Sequence, residues 1–257
     1  MSLLKRAGYF FGLPVLLIIM WWALTLGGTN FFVPTPEALA KTFWEVWAGE
    51  RFVTDFLPSI MRLFVGLVAT IVLGIGLGIL IGSIRWLRSL TEPILEFFRA
   101  IPPPVLVPLF MLLIGINDQM KILVIISGAI WPVLLNTVEG VRAVDEVLND
   151  TSRTYGIHGF SRLRYLVLPA ASPQIMAGVR QSLSIGLILM VISEMFGSSS
   201  GLGFTIVLFQ RTFAIPEMWS GIAVLGLIGI ALSLISKGIE RKVLRWYHGL
   251  KEVQRDS

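Results

Sequence analysis

Separated runs of apolar residues, each long enough to cross a lipid bilayer, constrain this 257-residue chain more than any other feature. A spanning helix takes about 20 predominantly apolar residues. Lipid offers the backbone no hydrogen bonds, so each run must satisfy its own as a helix or within a closed barrel. These runs are continuous and lack the strict alternation of barrel strands, which makes them helices. A mean hydropathy of +0.80 and a charged fraction of 14% agree, because soluble domains carry about 25% charged residues. The chain reads as an all-α, polytopic membrane protein.

Six transmembrane helices are expected. The first covers residues 9–26 after Lys5 and Arg6. Its length, and the absence of a small-residue cleavage pattern after it, argue for an uncleaved span rather than a signal peptide. The others are expected at 57–84, 94–116, 122–141, 174–196 and 218–235. Pro102, Pro103 and Pro104 interrupt the third; three missing donors forbid a regular helix there, and broken backbone at membrane depth belongs inside protein or beside a cavity. Residues 38–47 form an amphipathic segment suited to the interface, with Trp44 and Trp47 near headgroup level. Residues 117–121 read as a polar turn, and 197–216 as a Gly/Ser-rich loop holding a short apolar stretch at 204–209.

Basic residues set the orientation. The side of the termini carries Arg85, Arg88, Arg99, Arg142, Arg153, Arg162, Arg164 and the basic tail from Lys237; the other carries Lys41, Arg51, Arg62, Lys121 and Arg211. The positive-inside rule puts both termini, and the loop 142–165, in the cytoplasm. The same placement at span ends explains the net charge of +5 without nucleic acid. With no cysteine, disulfides, thiolate metal sites and thiol nucleophiles are excluded. His158 and His248 stand alone, so no metal site is expected.

The loop between spans four and five is the most informative segment. Residues 150–155 have helical spacing, Gly156 and Gly159 stop that helix, and Ser161 is placed to cap a second one running to Pro169. On pattern alone it is equally a plain connection or a projecting functional element. Its spacing resembles the cytoplasmic motif of binding-protein-dependent ABC permeases: Glu-Ala-Ala, three residues, Gly, nine residues, Ile, any residue, Leu-Pro. Here Asp150-Thr151-Ser152 fills the first triplet, Gly156 follows, and Leu166, Val167, Leu168 and Pro169 close it. Thr151 and Ser152 depart from the pattern. The resemblance extends through Val33-Pro-Thr-Pro36, Arg99-Ala-Ile-Pro-Pro103, Leu135-Asn136-Thr137, Gly140-Val-Arg142, Ser193-Glu194-Met195 and Ser200-Gly-Leu-Gly203. It is similar in particular to the subfamily that imports nitrate, sulfonates and taurine.

That resemblance implies a type I ABC importer permease fold: a single transmembrane permease domain over 1–257, with a coupling loop at 142–165. It implies that Asp150, Thr151, Ser152, Tyr155, Gly156, Ile157, His158, Phe160, Leu168 and Pro169 form the element that docks on a cytoplasmic ABC ATPase. The chain has no Gly-x-x-x-x-Gly-Lys-Ser/Thr stretch to cradle phosphates. It is therefore expected to be no enzyme and to hold no cofactor, with ATP and Mg in the partner ATPase. A second copy of the chain, an extracytoplasmic solute-binding protein and the bilayer of a bacterial plasma (inner) membrane complete the implied partners. The binding protein would meet residues 29–56, 117–121 and 197–216.

Candidates to line a translocation path are Ser127, Trp131 and Ser184, with Arg180 and Glu194 as charges in or near span five. Intramembrane charges usually face protein or water. Arg180 is placed either for an anionic solute or for bonding helix ends, and Glu194 for a structural or gating role. Gly74, Gly78 and Gly82 form a small-residue stripe in span two, whose partner helix is not readable from sequence. An ion-coupled secondary transporter and a passive channel remain alternatives. The substrate is expected to be an organic anion such as a sulfonate, with nitrate, taurine, bicarbonate, a pyrimidine or an aromatic acid as alternatives.

Overall fold

The structure, a computed structural model, describes residues 3–27 and 31–247, with side chains from Gly12 onward. His248, Lys251 and Arg255, and the side chains of Lys5 and Arg6, lie outside the described part. The described residues are helical with no strand. Four helical stretches have the length and composition to cross a membrane: Phe52–Ser83, Asp118–Arg142, Gly159–Met195 and Ile215–Val243. Arg85–Ala100 and Pro103–Ile114, bent by 75° at their break, pass the same test only when taken together, as a broken span or a re-entrant loop. The expected first span falls on helix α1 (Leu3–Thr25), whose apolar part with described side chains, Gly12–Thr25, is shorter. Residues fall into two compact units, Met1–Pro58 with Ser199–Leu227, and Ser59–Ser198 with Ile228–Ser257.

In the first unit, helix α2 (Pro36–Trp47) begins where sequence chemistry dictates. Thr35 accepts a hydrogen bond from Ala38 N at 3.2 Å, Pro36 occupies the first turn and Glu37 meets the positive helix end. Trp44 is exposed, whereas Trp47 is buried and donates its indole N–H to Ser220 Oγ at 3.0 Å. A buried indole needs such a partner. Asp55 is also buried and accepts from Arg51 Nη1 at 3.1 Å and from the backbone of Gly201 at 3.0 Å, where helix α10 (Leu202–Arg211) starts.

In the second unit, α3 (Leu57–Ser83), α6 (Asp118–Arg142) and α9 (Leu168–Met195) build the core. The glycine stripe finds its partner in the same chain. A Cβ on Gly74 would sit 2.8 Å from Val133 Cβ, and one on Gly78 2.5 Å from Thr137 Cβ. Only glycine lets α3 lie this close to α6. Between them, α4 (Arg85–Ala100) and α5 (Leu106–Ile114) are separated by the predicted proline break, which contains a single 3₁₀ turn, Pro103–Val105. Residues 117–121 are not a turn but a helix start: Asn117 caps α6 by accepting from Met120 N at 2.9 Å, and Lys121 is buried.

The loop leading into α9 corrects two expectations. Helix α7 (Glu146–Thr154) is capped by Asp145, and α8 (Gly159–Arg162) starts at Gly159, with His158 rather than Ser161 in the cap position. Pro169 does not end this helix. Leu163–Val167 forms a widened turn, closed by Leu168 N–H bonding back to Leu163 O, and the helix continues without interruption to Met195. A proline ring collides with the carbonyl four residues earlier; widening the preceding turn moves that carbonyl aside. The same device precedes Pro58, where Leu57 N–H bonds to Phe52 O across the turn Phe52–Phe56. Final helix α11 covers Ile215–Val243.

Candidate functional site

The segment between α6 and α9 folds as a rigid projection. Helix α7 ends in a paired cap: Ile157 N–H bonds Ser152 O at 2.8 Å and Gly156 N–H bonds Arg153 O at 3.0 Å. Gly156 takes φ = 67° to make this possible, which costs glycine nothing. Arg162 Nη2 donates to Asn149 Oδ1 at 2.7 Å and ties α8 back to α7. Ser152 is buried and bonds Asn149 O; Thr151 bonds Val147 O, and Asp150 pairs loosely with Arg153. The outward face is mixed, with Asp150 and Arg153 exposed beside apolar and aromatic side chains. Tyr155 is 78% exposed and Phe160 73%, with His158 exposed and Ile157 beside them. Exposed aromatics on a hydrogen-bonded frame are what a docking surface offers.

The projection is rooted in the membrane helices. Val141, Val167, Ala171 and Ile175 form a buried cluster, against which Leu163, Leu168, Ile75 and Ile79 pack. Leu168 is partly buried and packs against this cluster, and Pro169 sits where the widened turn joins α9. Through this cluster Leu163 and Val167 pack against residues of α3 (Ile75, Ile79), α6 (Val141) and α9 (Ala171, Ile175).

A second feature is an open cleft of about 810 Å³ where the α4–α5 break faces α6 and α9. Trp131, Asn136, Gln181 and Arg99 line it beside Pro103 and Pro104. Asn136 Nδ2 donates to Pro132 O at 2.8 Å. Arg99 is paired with Glu96 at 2.6 Å, and both line the cleft. Of the sequence candidates, Trp131 lies here. Ser127 bonds Val124 O, and neither it nor Ser184, which is exposed, lines the cleft.

The two charges of span five have partners that sequence spacing did not reveal. Arg180 forms an ion pair with Glu240 on α11. Glu194 is wholly buried and accepts from Ser59 Oγ at 2.7 and 2.8 Å and from Arg62 Nη1 at 2.7 Å. Arg62 also donates to Asp118 Oδ1 at 2.7 Å, which joins α3, α6 and α9 in one network that is buried at Arg62 and Glu194 and exposed at Asp118. Glu194 is thus a structural acid in this conformation, outside the cleft.

Comparison with known proteins gives concordant results. The family model described as "Binding-protein-dependent transport system inner membrane component" matches residues 71–247. The chain is 34% identical to the putative aliphatic sulfonates transport permease protein SsuC of Bacillus subtilis (strain 168), covering 94% of this chain and 89% of that protein. It is 30% identical to the taurine transport system permease protein TauC of Escherichia coli (strain K12), over the same shares. Among solved structures, a chain of the MetNI methionine ABC transporter, crystallised in inward facing conformations, superposes with a TM-score of 0.63 at 20% identity, covering 74% of this chain and 94% of that one.

Proposed function

Because the chain belongs to the binding-protein-dependent ABC transporter permeases, of the sulfonate and taurine type, we propose that it is the membrane path of an ATP-driven importer for a small organic anion of the sulfonate class. The observation that carries this reading is the projection formed by α7 and α8. Its frame is closed by the Ser152–Ile157 and Asn149–Arg162 bonds, and Tyr155 and Phe160 are presented outward. A rigid helical knob with an aromatic tip, rooted in the core of three long helices, suits transmission of a partner's movement.

In this reading the loop 142–165 is cytoplasmic and docks on an ABC ATPase, where ATP and Mg reside. The whole chain is one permease domain and pairs with a second copy. An external binding protein delivers the solute to segments 29–56, 117–121 and 197–216. ATP-driven closure of the ATPase pair pushes the two projections together, and the cluster of Val141, Val167, Ala171 and Ile175 carries that push into α3, α6 and α9. In the cleft the Gln181 amide and the second Nδ2 hydrogen of Asn136 offer donors to a polar solute, Arg99 is paired with Glu96, and Trp131 supplies an apolar wall. The names of the sulfonate and taurine relatives support that substrate class.

The test is co-expression with the ATPase and binding protein encoded beside this gene, followed by reconstitution in liposomes. ATP-dependent accumulation of a labelled alkanesulfonate is the expected result. Accumulation without ATP, or an ATPase that fails to co-purify, overturns the importer reading. ATP-dependent uptake of nitrate but not of sulfonates overturns only the substrate.

A further inference from the structure

We propose that Arg85, Arg88, Arg142 and Arg162 form a site for a phosphate-bearing anion, the headgroup of an anionic phospholipid being the source that the site's position favours. The four guanidinium-bearing residues come from the start of α4, the end of α6 and α8, and line one pocket of about 270 Å³ together with Gly82 and Ser83. No acidic residue lines it. The adjoining pocket shows the contrast: Arg88, Arg99 and Arg142 share it with Glu92, Glu96 and Glu139, so its charge is balanced from within.

Internal partners account for only half of the arginines. Arg142 pairs with Glu139 at 2.7 Å, and Arg162 donates to Asn149 at 2.7 Å. Arg85 and Arg88 have no ion pair and no side-chain hydrogen bond among the described residues. Both sit in the first turn of α4, a helix with no acidic residue in that turn and no side-chain cap. Cations at the positive end of a helix are unfavourable, and span-end placement alone does not require four of them to converge. A bound anion resolves both conflicts. Planar guanidinium groups match phosphate oxygens in bidentate fashion. The pocket lies where α3 ends at Ser83 and α6 at Arg142, the level at which an apolar span gives way to headgroups. Since Arg162 belongs to α8, the anion would brace the root of the projection against α4 and α6.

The experiment is native mass spectrometry of the detergent-purified full chain, titrated separately with phosphatidylglycerol, phosphatidylcholine and inorganic phosphate. The expected result is one tightly held phosphatidylglycerol per chain and none of phosphatidylcholine. Retention should fall about tenfold or more in R85Q/R88Q, which breaks no internal bond. It should be unchanged in R241Q/K242Q, which removes equal charge from the end of α11. Should the double variant fold poorly, R85Q alone serves, since Arg85 is exposed. Saturable phosphate binding that is lost in R85Q/R88Q supports the site with a soluble anion as its source. Equal losses in both double variants, or no selective retention of either anion by the wild type, overturn it.

Discussion

Arg62 and Glu194, 132 positions apart in sequence, meet at 2.7 Å between α3 and the end of α9, with Arg62 5% exposed and Glu194 completely buried. Ser59 and Asp118 complete the bonding, so the pair is satisfied as well as neutralised. Removing one partner of a buried pair leaves the other charge uncompensated, at about 3–5 kcal/mol. Arg62→Met is therefore expected to lower the thermal unfolding midpoint of the detergent-solubilised chain sharply. Combining it with Glu194→Met should recover a good part of the loss. A double variant as unstable as the sum of the singles would show that the two charges do not act as a pair.

Two glycines on α3 separate packing from helix propensity. Gly78→Ala drives a methyl to 2.5 Å from Thr137 and 2.9 Å from Leu134 O, whereas Gly76 has nothing within 4 Å of its would-be Cβ. Gly78→Ala should destabilise by about 1–3 kcal/mol through overpacking. Gly76→Ala should be neutral or gain up to about 1 kcal/mol from the better helix former. Denaturation in mixed micelles compares them directly, and equal effects would dissociate the stripe from α3–α6 packing.

Truncation of the exposed tips tests the projection. Tyr155→Ala and Phe160→Ala remove side chains that are largely outside the fold, so unfolding midpoints should hardly move. Association with the ATPase should weaken about tenfold for each, as expected for aromatic anchors of an interface. Pull-down titration measures this; unchanged association would remove the tip from the contact.

Pro169→Ala restores a backbone donor at the widened turn before α9. The substituted segment is free to relax to an ordinary α-turn, which re-phases α8 against α9. The span should still fold, while solute accumulated per ATP hydrolysed falls. Paired uptake and phosphate-release assays on proteoliposomes show whether coupling or only rate has changed.

Much of this architecture was readable because it follows from local chemistry. Pro102–Pro104 cannot donate three hydrogen bonds, and the helix breaks there by 75°. Gly156, read as a helix stop, ends α7 at φ = 67°, where its lack of a Cβ allows. The failures share another cause. Pro169 was read as a stop because an i→i+5 turn leaves no periodic signature in five residues. The burial of Trp47 leaves no local trace because its partner Ser220 lies 173 positions away. Arg180 found Glu240 and Glu194 found Arg62 for the same reason: spacing within one helix cannot report a partner on another. The cleft was legible only through Trp131 and the proline break, since the rest of its lining comes from α4 and α9 as well as α6.

The turn at Leu163–Val167 holds one residue more than an α-helical turn needs. One residue is about 100° of rotation about the helix axis. Phe160 and the lipid-facing side of α9 are therefore clocked against each other by a single surplus amide, much as a shim sets the angle between two shafts. Deleting one residue there would leave both shafts sound and point the knob at the wrong side of its socket.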